Sequence, residues 1–281
     1  MFRESKKPLW AAFGMTEPGA GSDVARIRTR CRKDGSSWIL NGEKCFCTNG
    51  ARASWVVIFA TVDPALGRAG HRAFVVEKGT PGFQLLRIEK KLGLRASETA
   101  ALTLEDVRVP AENLLGGESH YAGREEGFKG AMRAFDVTRP VIAATALGIA
   151  RAAWDAANEF FRQHHRGRAG RRVARLAEKL GYARRRLEAG QLLIWKAAWM
   201  ADHRMPNTVE ASMSKAFVPQ VALEAVALAI EVTGEAGIRH DYFIEKLYRD
   251  IKGLDIVEGT GQIQRLVVSR RVFEELGTKA G

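Results

Sequence analysis

The hydrophobic period of this chain changes once, near residue 123, and that change rules out most architectures. Upstream, between residues 36 and 110, apolar residues come in short alternating runs separated by turns such as Gly79-Thr80-Pro81-Gly82. Alternation on a pleated backbone buries one face, so SWVVIFATV, HRAFVVEKG and ETAALTLEDVRV read as strands. In SSWILNGEKCFCTNG two such runs flank Asn41-Gly42, a dipeptide suited to a two-residue hairpin loop, which predicts a turn there. Five or more short strands with little helix between them predict an antiparallel barrel or packed sheets. The strand–helix alternation of a dinucleotide-binding unit is excluded.

Downstream, GFKGAMRAFDVTRPVIAATALGIARAAWDAANEFF is alanine-rich at helical spacing, with Pro140 as its one interruption. Further helical stretches are expected at 173–203, 206–233 and 242–250, and a last one near 261–276. Long helices with short connections predict an antiparallel bundle. The expected fold class is therefore α+β: an antiparallel β domain of barrel-like packed sheets over residues 1–117, then a C-terminal antiparallel helical bundle over 118–281.

Composition narrows the setting. The opening MFRESKKPLW lacks the apolar segment of a secretory signal. No run reaches the roughly 18 uninterrupted apolar residues of a membrane span. Cys31, Cys45 and Cys47 form no disulfide framework, which points to a reducing compartment: the cytoplasm, or the mitochondrial matrix in a eukaryote. Neither these nor the six His fall at metal-ligand spacing. The net charge of +12 is compatible with nucleic acid or a small anionic ligand.

Three motifs carry candidate chemistry. FGMTEPGAGSD, Phe13 to Asp23, has helix-breaking Pro18, Gly19 and Gly21, with Thr16 and Ser22 able to face a polar ligand; taken alone it reads more readily as an ordinary loop. In CFCTNG, Cys45 and Cys47 share one face of a strand, and Phe46 and Thr48 share the other. Phe46 and Thr48 suit a flat ring with a hydrogen-bonding edge, or else a core aromatic beside a strand-forming threonine. In IVEGTGQIQR, Thr260 is a plausible N-cap, which sets Glu258 beside the positive end of the last helix. There Glu258 is either a helix-start acid or a general base, its environment dried by Ile256 and Val257 and its pKa raised by desolvation.

Together, in this order, TEPGAGSD, NGEKCFCTNG, LGLRASETAALTLEDVRVP, AFDVTRP and YRDIKGLDIVEGTGQIQR resemble the acyl-CoA dehydrogenase family of flavoproteins over essentially the whole chain. The resemblance implies FAD as cofactor and oxidation of an acyl-CoA thioester to its trans-2-enoyl-CoA, of the fatty-acid β-oxidation type. Glu258 matches the base for the α-proton, and electrons are expected to pass to an electron-transfer flavoprotein. Met15, Thr16, Gly21, Ser22, Phe46, Thr48, Thr260 and Gln262 match flavin-side positions. Ser22, Ser97 and Arg139 match positions on the CoA side. Some relatives carry the base in the AFDVTR helix, where this chain has Thr138, leaving Glu258 as sole candidate.

Two departures stand against the pattern. The family's N-terminal helical domain is not found ahead of TEPGAGSD, so it is expected either from a partner chain or to be lost. Arg162 to Arg186 reads RQHHRGRAGRRVARLAEKLGYARRR, with nine Arg and one Lys against one Glu. Relatives place there an Arg-x-x-Phe-Gly stretch that reaches a neighbour's FAD; Glu231 and Glu235 likewise replace a family Gln and Gly. These changes imply a homo- or hetero-oligomer whose partner completes the FAD site, Arg162, Arg166 or Arg168 taking over phosphate contacts, or a sequence frame error. A catalytically silent subunit of a heteromeric complex is the alternative function. Nucleic-acid binding is disfavoured: no aromatics interleave with the arginines, and Val173, Leu176, Leu180 and Leu187 keep a core-facing period.

Overall fold

The computed structural model describes residues 9–122, 126–165 and 167–277, which leaves Arg166 outside the described residues. The chain divides into two compact units, Met1–Lys91 with Arg95–Met132, and Leu92–Leu94 with Arg133–Gly281.

The first unit is built on a seven-stranded sheet: β1 (Ala11–Gly14), β2 (Arg30–Asp34), β3 (Ser37–Thr48), β4 (Trp55–Thr61), β5 (His71–Glu77), β6 (Phe83–Ile88) and β7 (Thr99–Pro110). A one-turn helix, α1 (Gly117–His120), follows. The strand order is β1-β4-β2-β3-β7-β6, with β5 on β4. The sheet is mixed rather than antiparallel, because β1 and β2 both run parallel to β4. Short turns join only some neighbours. The β1-to-β4 connection contains the whole β2–β3 hairpin, and so long a crossover returns the chain in the same direction. Leu40, Ile58, Phe74, Val76, Leu102 and Val107 interlock in its core, each contributing about 1.5–3 kcal/mol by leaving water.

The predicted turn at Asn41-Gly42 is not a turn. The hairpin closes at Gly35-Ser36, between the paired Asp34 and Ser37, and β3 runs unbroken through Asn41. There its pairing with β7 slips between Leu40 and Gly42, forming a bulge. Asn41 fills the slip by donating to the Asp106 carboxylate at 2.9 Å and accepting the Asp106 N–H at 2.8 Å. Gly42 is required because a Cβ there would lie 2.7 Å from the Thr29 Cα. Local turn propensity lost to close backbone packing.

A buried ion pair ties the Thr16–Asp23 loop to the sheet. Lys44 is fully buried; its Nζ donates to Glu17 Oε1 at 2.7 Å and to the Met15 carbonyl at 3.2 Å. Glu17 also accepts the N–H groups of Arg28 and Thr29, at 2.6 and 2.9 Å. Burial opposes ionisation of Glu17, but Lys44 and these donors outweigh it and hold the carboxyl below the ordinary range.

The second unit contains α2 from Arg133 onward (the whole helix is Glu126–His165), α3 (Arg171–Asp202), α4 (Thr208–Thr233), α5 (Ile244–Ile256) and α6 (Gly261–Glu275). Ala143, Ala146, Ala150, Ala153 and Ala157 form a buried stripe along α2 at spacings of three and four. Small side chains there let neighbouring helices approach closely. Leu176, Leu180 and Leu187 of the arginine-rich α3 are buried in the same core, so its charges occupy the other face. The α4 helix touches α3, α5 and α6, which explains why most of its circumference is buried and apolar, leaving only a narrow exposed strip with Gln220, Glu224 and Glu231.

Pro140 does not interrupt α2. Its missing N–H frees the Asp136 carbonyl, and Asn207 Nδ2 takes that acceptor at 3.2 Å while also donating to the Ala197 carbonyl at 3.0 Å.

Glu17→Gln leaves the Lys44 ammonium buried without a counter-charge and is expected to destabilise the protein by about 3–5 kcal/mol. Urea denaturation at pH 7 checks this. In the wild type the folded carboxyl titrates below its unfolded counterpart, so this contribution is present above the ordinary carboxylate range and fades as pH falls through the lowered value.

Candidate active site

Between α5 and α6 the chain makes a short turn whose backbone is unusual. Val257 is extended, Glu258 adopts φ 61° and Gly259 φ 89°. A left-handed glutamate is uncommon and persists only where its surroundings fix it. Here they do. Gln264, fully buried on α6, donates to the carbonyls of Glu258 and Gly259 at 3.2 and 3.3 Å. Thr260 is the N-cap of α6, its hydroxyl accepting the Ile263 N–H at 3.3 Å. Gly259 admits no side chain, since a Cβ would meet Gln264 Nε2 at 2.4 Å.

This turn aims Glu258 at α2. Its Oε2 accepts the Thr138 hydroxyl at 2.5 Å. Arg139, the next residue, is 5 % exposed and paired with Asp136 at 2.7 Å, whose other oxygen takes the Thr208 hydroxyl at 2.7 Å. Burial raises the Glu258 pKa; the Thr138 hydrogen bond and the charges of Arg139 and Lys215 oppose that, and the net shift is upward. The result is a half-buried carboxylate with one donor on Oε2 and, among the described residues, none on Oε1.

Ile256 and Val257 do not dry this site as the sequence predicts: they are 54 % and 41 % exposed. Ile256 lies on the exposed face of α5, whose buried apolar residues are Ile244, Ile251 and Leu254, and the groups that act on Glu258 come from α2 and α4 instead. Thr138 is noticed in the sequence only as the slot of an alternative base; its bond to Glu258 is three-dimensional information. Gln264 and Lys215 are missed altogether. The available signal was a lysine inside the apolar run of α4, a costly placement unless the amine has partners.

The other candidate residues fall as follows. Thr260 and Gln262 open α6, with Gln262 exposed. In the first unit, Cys45 and Cys47 are buried while Phe46 and Thr48 face outward from β3. Phe46 is 64 % exposed at φ 55°, within a second slip between Lys44 and Cys47, so the bulge presents its ring. Thr16 is half-buried, its carbonyl accepting the Cys45 N–H at 2.9 Å; Gly21 and Ser22 are exposed beyond it. Met15 is a core residue, 3 % exposed. Ser97 is exposed, its carbonyl receiving Lys91 Nζ at 2.5 Å. Arg139 is walled into the bundle rather than open to a ligand's phosphates. Glu231 is paired with Lys179 at 2.6 Å, which offsets its charge, while Glu235, Arg162 and Arg168 are exposed.

Exposed Phe46 and Thr48 on β3, and half-buried Thr16 on a loop with exposed Gly19 and Gly21, are residue types suited to a flat, partly apolar ring system.

Comparison with known proteins identifies the family. The family model of the acyl-CoA dehydrogenase middle domain matches residues 12–107, and that of the C-terminal domain matches 125–273. A cyclohexane-1-carbonyl-CoA dehydrogenase of Syntrophus aciditrophicus is 42% identical over 94% of this chain and 68% of its own length. A short-chain-specific acyl-CoA dehydrogenase of Clostridium acetobutylicum is 38% identical over 93% of this chain and 68% of its own. Among solved structures, butyryl-CoA dehydrogenase from Megasphaera elsdenii superposes with a TM-score of 0.86 at 36% identity, covering 94% of this chain and 68% of that one. A chain described with the electron transferring flavoprotein of Acidaminococcus fermentans gives 0.86 at 39%, covering 93% and 68%. With both domain models matched in order along one chain, and relatives this similar across nearly all of it, the chain belongs to the acyl-CoA dehydrogenase family of enzymes.

Proposed function

We propose that this chain carries out FAD-dependent α,β-dehydrogenation of an acyl-CoA thioester, with Glu258 as the base that takes the α-proton. The observation that carries this reading is the setting of Glu258: a half-buried carboxylate of raised pKa on a backbone locked by side-chain donors, with Oε1 open. A base poised above the ordinary carboxylate range is a stronger proton acceptor near neutral pH than a solvated glutamate. The Glu258 N–H has no acceptor among the described residues, so it is a donor available to a thioester oxygen as negative charge builds there. Breaking the α C–H bond passes the proton to Oε1 and leaves its electron pair for the new double bond.

FAD, when bound, supplies the acceptor for the β-hydrogen and its electron pair. Phe46, Thr48, Thr16, Gly21 and Ser22 of the first unit would hold it. Ser22 and Ser97 would face the CoA moiety. Arg139 we assign to the electrostatics of Glu258 instead, because its guanidinium is buried against Asp136. Electrons would leave to an electron-transfer flavoprotein, a reading supported by the family and by the Acidaminococcus fermentans neighbour.

The purified chain, alone and with any co-expressed dehydrogenase subunit, is expected to show a flavin absorption band that bleaches on adding acyl-CoA; colourless protein in both preparations would leave only the silent-subunit function. Glu258→Gln should bind the ligand and lose about 10²–10⁴-fold in the rate of bleaching. In the wild type, activity should rise with pH through a limb above the ordinary carboxylate range, since the working form is the ionised one. Thr138→Val removes a hydrogen bond that favours that form, and should move the limb to still higher pH; a limb that stays or moves down would contradict the role of this pair.

A further inference from the structure

One ionisable group deep in the bundle has no place in the proposed chemistry. Lys215 is fully buried on the core-facing side of α4, yet among the described residues it is not paired with a carboxylate side chain. Its Nζ donates to two backbone carbonyls, Asp255 at 3.3 Å and Gly259 at 3.1 Å. These two residues bracket Glu258: Asp255 lies in the last turn of α5, and Gly259 directly follows the glutamate. Burying an ammonium is expensive, and an apolar residue of similar length would fill the same volume without that cost. What only the ammonium supplies is a positive donor that grips both ends of the turn.

We propose that Lys215 is a positioning residue for Glu258, its buried ammonium tying together the two ends of the turn that carries the carboxylate. The proposal rests on Glu258 being the base. Three charged groups act on the amine, each from a different element: Asp255 of α5, Glu258 of the turn and Arg139 of α2. Burial pulls the Lys215 ammonium down to about 8; the negative charges of Asp255 and Glu258 push back, and Arg139 adds to the fall. The same charge favours the ionised form of Glu258. Lys215 therefore acts on the base twice, by fixing the backbone that aims it and by easing its ionisation.

The test uses two variants of the full chain. Lys215→Met removes donors and charge; Lys215→Gln keeps an amide donor without the charge. In flavin-free protein, amide hydrogen exchange across residues 256–261 should quicken about tenfold in the Met variant and less in the Gln variant. In FAD-loaded protein with butyryl-CoA and a dye acceptor, the Met variant should lose roughly ten- to a hundredfold in kcat, with KM changed by less than about threefold. Both variants should move the acidic limb of kcat to higher pH, because each lacks the cation that favours the carboxylate. A folded Met variant with wild-type exchange and a wild-type limb overturns the proposal. Failure of both variants to fold also overturns it, by making the lysine a requirement of the bundle alone. Should Glu258→Gln turn over like the wild type, the base assignment falls instead; the exchange measurement then still judges whether the lysine holds the turn.

Discussion

A carboxylate cannot be both strongly basic and well solvated, and the helical unit is organised around that conflict. Desolvation raises the pKa of Glu258, yet the turn bearing it sits in a backbone conformation that a glutamate rarely adopts. The fold answers with donors rather than with apolar cover. Gln264 and Lys215 fill the carbonyls around the glutamate, Thr260 starts the following helix, and Thr138 meets the carboxylate itself. Each belongs to a helical unit whose packing depends on the alanine stripe of α2 and the buried apolar faces of α4. Tight packing thus fixes the positions of a few polar groups whose geometry has little tolerance.

Much of this was legible in the sequence. Two periodicities gave two kinds of unit, and most helix limits fell within a few residues of those seen, because amphipathic faces and the Thr260 cap are local signals; α5 runs six residues past its expected end at 250. Glu258 stood out as a candidate base through the resemblance of the whole motif, since locally it reads equally as a helix-start acid. What was not legible was non-local. The Asn41-Gly42 dipeptide has every local mark of a turn, but Thr29 approaches Gly42 and Asp106 engages Asn41, neither of which is near in sequence. The parallel pairing of β1 and β2 with β4 was hidden because it depends on a crossover rather than on any single strand's pattern. Ile256 and Val257 misled because apolar character was taken as burial, and which face of α5 and its C-cap turns inward depends on packing against distant elements.

The two bulges of β3 show how an edge of irregularity serves presentation. A regular strand would place Phe46 by alternation alone. The slip between Lys44 and Cys47 adds a left-handed residue at that point, so the aromatic ring stands clear of the sheet while Cys45 and Cys47 stay buried on either side. The adjoining Lys44 points the other way, into the ion pair with Glu17, and the loop containing Thr16 is thereby fastened to the same strand.

Pro140 has an effect on α2 that reaches beyond its own turn. A ladder of identical backbone hydrogen bonds carries no mark of level, so on its own it leaves the register to side-chain packing. The vacant acceptor at Asp136 adds such a mark, and Asn207, from the corner joining α3 to α4, is seated there. Thr138 and Arg139 lie between the proline and that peg. Their height in the bundle is indexed, like a vernier, by a missing hydrogen as well as by the packing around it.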